Sequence, residues 1–281
     1  MKRIESDPAQ WRARLLFTMV FSLACWLVLG LNLVRLLGSW TPPYIAANLP
    51  FFAMAAGLLL SLRFILHTDL STIMTDHRRI RQRPLWLGFG AYLATHLLFL
   101  LATAMADPGL IIYNPVPLAT RIPFIVAALI ITPIQTTSEE LLFRILPVRF
   151  IQGSSLKPSA LVSLVSAALF TLPHLSNQEV TQGSNRTIVL LYYAIFAATI
   201  TYLSLRNGGF EVAVGVHAAN NLFVAIFANY SNSSLPSHSL FFSHRLPGSA
   251  ADLVQLIISL AVVALVTGRE REASECKGDA S

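Results

Sequence analysis

The chain has 281 residues, of which 54% are hydrophobic and 12% charged, and its mean hydropathy is +0.62. A soluble domain carries about 25% charged residues, so this composition excludes a water-soluble globular fold and indicates a surface that faces mainly lipid. The formal net charge of +6 does not indicate a nucleic-acid partner, because the basic residues cluster between apolar segments, as membrane-topology determinants do.

Eight apolar segments predict membrane-spanning helices, since a span needs about 20 mostly apolar residues. In chain order they cover about 15–37, 44–66, 85–105, 122–148, 159–174, 187–205, 210–227 and 251–267. The expected fold is all-α, a polytopic membrane helix bundle of about eight transmembrane helices with an intramembrane polar site. Residues 1–14 are expected to form a cytoplasmic N-terminal segment, 15–267 the transmembrane bundle, and 268–281 a cytoplasmic tail.

Lysine and arginine are distributed unequally between the two sets of loops. With the N-terminus in the cytosol, the inner segments hold fourteen of them and the outer segments only Arg121, Arg186 and Arg245. Because such residues concentrate on the cytoplasmic side, we expect a multi-pass protein of the plasma (cell inner) membrane with both termini in the cytosol. The densest basic run, His77–Arg83, is expected to face anionic lipid.

The fourth span carries Thr137–Arg144, in which two adjacent carboxylates and an arginine lie at membrane depth. Ionisable residues are costly there and mark a functional-site hypothesis. Glu140 and Arg144 are four residues apart, so they share one helix face and can pair. Glu139 lies about 100° around the helix, on a face without a cation, and is expected to be free for acid–base chemistry. The alternative for this segment alone is that both glutamates anchor the cytoplasmic end of the span.

Two later spans contain further polar residues. His174 follows a proline that ends or bends its helix and fixes the direction of the imidazole; an interfacial role is the alternative. His217 and Asn221 share one face of the seventh span, where Gly215 allows close approach of a neighbouring helix; hydrogen bonding between helices is the alternative. At about 1.5 Å per residue, these side chains and Glu139 lie at overlapping depths. This coincidence predicts one polar pocket, which we expect to open toward the cytosol.

Taken together, three motifs resemble those of the CAAX-protease and bacteriocin-processing (CPBP, or Abi) family of intramembrane endopeptidases, to which the type II CAAX prenyl endopeptidase belongs. Glu139–Arg144 matches EExxxR, Phe170–His174 matches FxxxH, and His217–Asn221 matches HxxxN. The resemblance covers about Ile122–Phe227, and it implies an α-helical bundle whose catalytic core lies at 122–228.

The resemblance implies hydrolysis of a peptide bond in a membrane-associated protein or peptide within the lipid bilayer. Glu139 would be the general base that activates water, helped by His174. His217 and Asn221 would stabilise the oxyanion, and Glu140 with Arg144 would support the site structurally. CAAX-type tails, leader peptides and sorting tails are the substrate classes implied, with no nucleic acid.

The cofactor requirement has two readings. The favoured mechanism uses a glutamate-activated water and no cofactor. A zinc centre with Glu139, His174 and His217 as ligands is the alternative, since three protein ligands suffice for catalytic zinc, although the chain has no HExxH motif.

Two other functions use the same polar residues. A membrane transporter or polar-cored scaffold could employ buried Glu and His to carry a proton or bind a substrate. Against it, the sequence shows no inverted repeat and no pair of Gly/Pro-broken helices. A regulatory pseudoenzyme that binds partner helices is the third reading.

Overall fold

A computed structural model describes residues 7–152 and 159–278, with the side chains of 269–278 excepted. The α-helices are α1 (Pro8–Ala24), α2 (Leu31–Leu37), α3 (Pro43–Phe64), α4 (Leu70–Met74), α5 (Gln82–Ala106), α6 (Leu118–Glu140), α7 (Leu146–Gln152), α8 (Ser159–Thr171), α9 (Gln178–Gln182), α10 (Arg186–Asn207), α11 (Glu211–Leu222) and α12 (Ala250–Gly278). The strands are β1 (Ile111–Tyr113), β2 (Ala228–Tyr230) and β3 (Phe241–Ser243). Turns of π-helix occupy Cys25–Gly30, Leu141–Ile145 and Phe223–Phe227, and 3₁₀ turns occupy Gly38–Trp40 and Leu172–Ser176.

Seven helical stretches in the described part of the chain are long and apolar enough to cross a membrane. They are Pro8–Trp40, Pro43–Phe64, Gln82–Ala106, Leu118–Gln152, Ser159–Ser176, Arg186–Asn207 and Ala250–Gly268. The predicted all-α bundle is confirmed, and the chain is a multi-pass membrane protein. The seventh predicted span corresponds to Glu211–Phe227, which is apolar but shorter than the others. Most residues of α11 are buried, so protein rather than lipid surrounds this helix.

Two helix ends differ from the predicted bounds. The first helix begins at Pro8 rather than near Leu15, because the Asp7 carboxylate accepts the Ala9 N–H at 2.9 Å and a proline fits the first helical turn. The last helix continues to Gly278, past the expected end near Thr267. Residues 153–158, which include the predicted inner Lys157, lie outside the described residues.

One end of the bundle, which we call the basic end, consists of segments 65–81, 149–152 and 206–211. Arg81, from the run expected to face lipid, instead pairs with Glu211 of α11 at 3.0 Å. Arg149 pairs with Asp76 at 2.7 Å. The backbone of Asp76 also donates to the carbonyl of Gly208 at 2.9 Å. These contacts tie the ends of α4, α5, α7 and α11 together.

The opposite end, which we call the sheet end, consists of strands β1–β3 with segments 172–185 and 228–249. Strand β3 lies in the middle of the sheet, antiparallel to β1 and parallel to β2. Arg121, counted above as an outer topology residue, is almost fully buried. Its guanidinium donates to the Tyr113 hydroxyl at 2.9 Å and to the carbonyls of Asn114 and His238. It therefore holds the sheet end together from inside.

Helix α11 packs closely against α5 where Gly215 faces it. A methyl group at Gly215 would collide with the carbonyl oxygen of Leu85 and lie 3.2 Å from the backbone nitrogen of Phe89. The predicted close helix approach is confirmed. It fixes the position of α11, and with it the two functional candidates that this helix carries.

Candidate active site

Glu140 and Arg144 form a fully buried ion pair. Arg144 Nη1 lies 2.5 Å from Glu140 Oε2, and neither side chain is exposed. A π-helical turn, Leu141–Ile145, follows Glu140 and contains Arg144, and such widened turns are common at functional sites. The guanidinium also lies over the ring of Phe170, 4.5 Å from its centroid. This aromatic face interacts favourably with the cation and connects the pair to α8.

His217 lies between the two adjacent carboxylates. Its Nδ1 is 2.8 Å from Glu140 Oε1, and its Nε2 is 3.3 Å from Glu139 Oε2. The residues of its own helix face leave Glu139 without a partner, and His217 reaches it from α11 instead.

His174 lies in the 3₁₀ turn that follows α8. Its Nδ1 donates to the carbonyl oxygen of Phe170 at 2.8 Å. The imidazole is held between the rings of Phe170 and Tyr193, at centroid distances of 5.0 and 4.6 Å. Because Nδ1 carries the proton in this hydrogen bond, Nε2 has a lone pair that can accept one.

Asn221 is oriented by its neighbour. Its Oδ1 accepts from Asn220 Nδ2 at 3.0 Å. The Asn220 Oδ1 in turn accepts from the hydroxyls of Tyr92 at 3.2 Å and Tyr192 at 3.4 Å. Since the oxygen of Asn221 is already engaged, its amide N–H groups are the part of the side chain that can serve a ligand.

All four candidate catalytic residues line one cavity of about 280 Å³. The structure thus brings Glu139, His174, His217 and Asn221 together from α6, the turn after α8, and α11. Sequence reasoning did not assign the other polar residues of the lining to the site, namely Asn48, Gln135, Asn177, Glu179, Tyr192, Tyr193, Asn220, Tyr230 and Ser234. The signal for Glu179 was its rarity, since it is one of only 14 acidic residues and lies between two predicted spans.

Glu179 joins two segments of the sheet end. Its Oε1 accepts from the Tyr230 hydroxyl at 3.1 Å and from the Ser234 N–H at 2.8 Å. Its Oε2 accepts from the Ser234 hydroxyl at 2.6 Å. Burial and the nearby Glu179 charge raise the pKa of Tyr230 well above its usual value, so this hydroxyl stays protonated and remains a donor. We call this set of contacts the Glu179 clasp.

The cavity is lined from one end of the bundle. Its walls include Asn177, Glu179, Tyr230, Ser234 and Leu235, all from the sheet end. None of the described residues that line it comes from the basic end. Counting helical rise gives the depth of the site residues but not the end from which that depth is reached, so the expected opening toward the cytosol stays a prediction.

The candidate zinc ligands do not form a metal site. No three His, Cys, Asp or Glu side chains in the described part of the chain are grouped so that they could hold a metal ion. Both nitrogens of His217 face glutamates, and Nδ1 of His174 is taken by a backbone carbonyl. His217 therefore contacts both glutamates, whereas His174 is hydrogen-bonded to the backbone of its own segment.

The fold and the site together define a class of protein: a polytopic helical membrane protein with a buried carboxylate–histidine–amide site in its interior. Residues 117–223 match the family described as type II CAAX prenyl endopeptidase Rce1-like. This segment, 107 of the 281 residues, carries Glu139, His174, His217 and Asn221, and it is similar to that family.

One relative among curated proteins is the uncharacterised protein YyaK of Bacillus subtilis (strain 168). It is 30% identical over 190 residues, which are 68% of this chain and 62% of that protein. The chain thus spans less than two thirds of the length of the curated relative that it matches. No solved structure matches the chain significantly.

Proposed function

We propose that the chain is an intramembrane endopeptidase that hydrolyses a peptide bond in a membrane-associated protein or peptide, using a water molecule activated by Glu139. The observation that carries this proposal is the position of Glu139: its carboxylate lines a polar cavity and contacts His217, while the adjacent Glu140 is engaged on both oxygens. Two carboxylates in unlike environments are typical of acid–base sites. The match to a family of prenyl endopeptidases supports the same reaction class.

In this mechanism Glu139 accepts a proton from water, and the water oxygen attacks the carbonyl carbon of the scissile bond. His174 assists in proton transfer through the lone pair on its Nε2. The hydrogen bond from its Nδ1 to the Phe170 carbonyl holds the imidazole in place. The same proton then passes to the nitrogen of the leaving amine as the C–N bond breaks. General acid–base catalysis of this kind contributes about 10²–10⁴-fold in rate.

Negative charge that develops on the carbonyl oxygen needs donors fixed in advance. The amide N–H groups of Asn221 suit this task because Asn220 holds the side-chain oxygen. His217 is fixed by Glu140 through Nδ1, which directs Nε2 toward Glu139 and the cavity. We assign Glu140 and Arg144 a positioning role, because they orient His217 and touch no part of the cavity.

The proposed reaction needs no metal or other cofactor. Each step above is assigned to a side chain, and the lack of a grouped set of three His, Cys, Asp or Glu ligands among the described residues supports a metal-free reaction. We further propose, from the charge asymmetry of the loops, that both termini face the cytosol of a plasma-membrane protein.

The test is cleavage of a quenched-fluorescence peptide library by the purified, lipid-reconstituted full-length chain. Glu139→Gln should lower cleavage at least about 100-fold while leaving the protein folded. Asp107→Asn, the same chemical change at an exposed loop position, should have no effect. Cleavage retained in Glu139→Gln would refute the assignment of the base, and cleavage abolished by a chelator and restored by zinc would refute the metal-free mechanism. Glu139-dependent solute flux without proteolysis would favour a transporter instead.

A further inference from the structure

The cavity that holds the candidate site is reached from the sheet end. We propose that the substrate enters from that end, and that the sheet end faces the outside of the cell. The substrate is then a polypeptide segment that has already crossed the membrane, rather than a cytosolic tail. The identity of the substrate as a polypeptide rests on the proposed function. The direction of access does not, since it rests on the walls of the cavity and on the distribution of lysine and arginine.

The walls of the cavity identify its mouth. Ser234, at the sheet end, is exposed and lines the cavity, and His174 is partly exposed. Farther in, Glu139 is only 6% exposed and Glu140 is fully buried. Exposure therefore falls from the sheet end toward the Glu140–Arg144 pair, which lies behind the cavity.

The basic end is closed. Beyond Arg144, the side chains of Ile145, Leu146 and Val148 are almost completely buried in the apolar core. The contacts of Arg81 with Glu211 and of Arg149 with Asp76 tie the surrounding helix ends together. Water and peptide thus have no described route to Glu139 from that side.

Charge assigns a side of the membrane to each end. In the described part of the chain, the segments of the basic end hold five arginines, and Arg12, Arg14 and Arg83 lie in the first two turns of the helices that begin there. The sheet end holds Arg245, and Arg121 and Arg186 lie in the first turns of helices that begin there. Because lysine and arginine concentrate on the cytoplasmic side of a membrane protein, this ratio of eight to three places the sheet end outside.

The Glu179 clasp lies at this mouth and joins α9 to the loop after β2. Since it is made of three hydrogen bonds to a single carboxylate, it can open without disturbing the packing of the helices. The two loop segments joined by the clasp thus border the access route at the sheet end. This arrangement suits an extended peptide presented at the outer surface, such as a leader or a sorting tail after translocation.

The proposal is tested by labelling single cysteines in a background that carries Cys25→Ser and Cys276→Ser. The probe is a membrane-impermeant, positively charged methanethiosulfonate, applied to intact cells or to sealed inverted vesicles. Ala47→Cys reports on the cavity wall, Ser234→Cys on the mouth, and Arg79→Cys on the exposed surface of the basic end.

We expect Ala47→Cys and Ser234→Cys to react with the probe at least about tenfold faster in intact cells than in inverted vesicles. Arg79→Cys should react only in inverted vesicles. Labelling of Ala47→Cys from the inverted side alone would overturn the proposal, and Asn177→Cys provides a second cavity position if Ala47→Cys expresses poorly. The readout needs no catalysis, so it must be unchanged when Glu139→Gln is added. A failure of the proposed function and a failure of this inference are therefore distinguishable.

Discussion

Replacement of Arg144 by methionine isolates the energetic role of the buried ion pair. The substitution preserves much of the apolar stem but leaves the fully buried Glu140 without its guanidinium partner. Breaking such a pair costs about 3–5 kcal/mol, because one charge remains uncompensated in the interior. The lost contact of the cation with Phe170 adds about 0.5–2 kcal/mol, which a methionine–aromatic contact partly offsets. We therefore expect Arg144→Met to lower the free energy of unfolding by about 4 kcal/mol.

The assay is thermal unfolding of the purified chain in detergent. The measured quantity is the fraction of protein that remains monodisperse at each temperature. At roughly 2–4 °C per kcal/mol, the midpoint for Arg144→Met should fall by about 10 °C. The matched control is Arg79→Met, the same change at an exposed position of the basic end. A surface substitution changes stability by about 0.5 kcal/mol or less, so the control should change the midpoint by about 2 °C at most.

A double variant tests the cause of the loss. Glu140→Gln added to Arg144→Met removes the uncompensated charge, and the amide oxygen can still accept from His217. The double variant should therefore regain at least half of the lost stability. A midpoint for Arg144→Met within about 2 °C of the parent, or a double variant less stable than the single one, would refute the explanation.

Two further substitutions probe the position of α11 and its donor. Gly215→Ala should destabilise the chain by about 1–3 kcal/mol, because the added methyl group collides with the Leu85 carbonyl oxygen. The matched control in the same unfolding assay is Gly90→Ala, whose methyl group meets nothing within 4 Å. Equal unfolding midpoints for the two variants would contradict the close approach of α11 to α5. Asn221→Ala should lower kcat about 10²–10³-fold with little change in KM, measured with peptides that the parent cleaves. A rise in KM alone would instead assign Asn221 to substrate binding.

The sequence was sufficient where a contact is local. The pairing of Glu140 with Arg144 follows from a spacing of four residues on one helix, and the packing of α11 follows from a glycine at the right position. The apolar segments likewise predicted the bundle. Composition does not show that protein surrounds most of the short seventh segment, Glu211–Phe227.

The contact between His217 and Glu139 could not be predicted in this way. It depends on how α11 is rotated and placed against α6, and no pattern within either segment encodes that arrangement. The end of the bundle that lines the cavity could not be predicted for a related reason. Depth along a helix is a local quantity, whereas the opening depends on where the loops containing Asn177 and Ser234 fold back over the bundle.

The placement of one imidazole between Glu139 and Glu140 has a mechanical consequence. Adjacent residues of a helix point about 100° apart, yet the two nitrogens of His217 contact one carboxylate each. The ring therefore fixes the rotation of α6 about its own axis as well as its distance from α11. A twist of either helix would break both contacts at once, so the site is either assembled as a whole or lost as a whole. Glu139→Asp retains the negative charge, but its side chain is one methylene shorter and draws the carboxylate away from His217 Nε2.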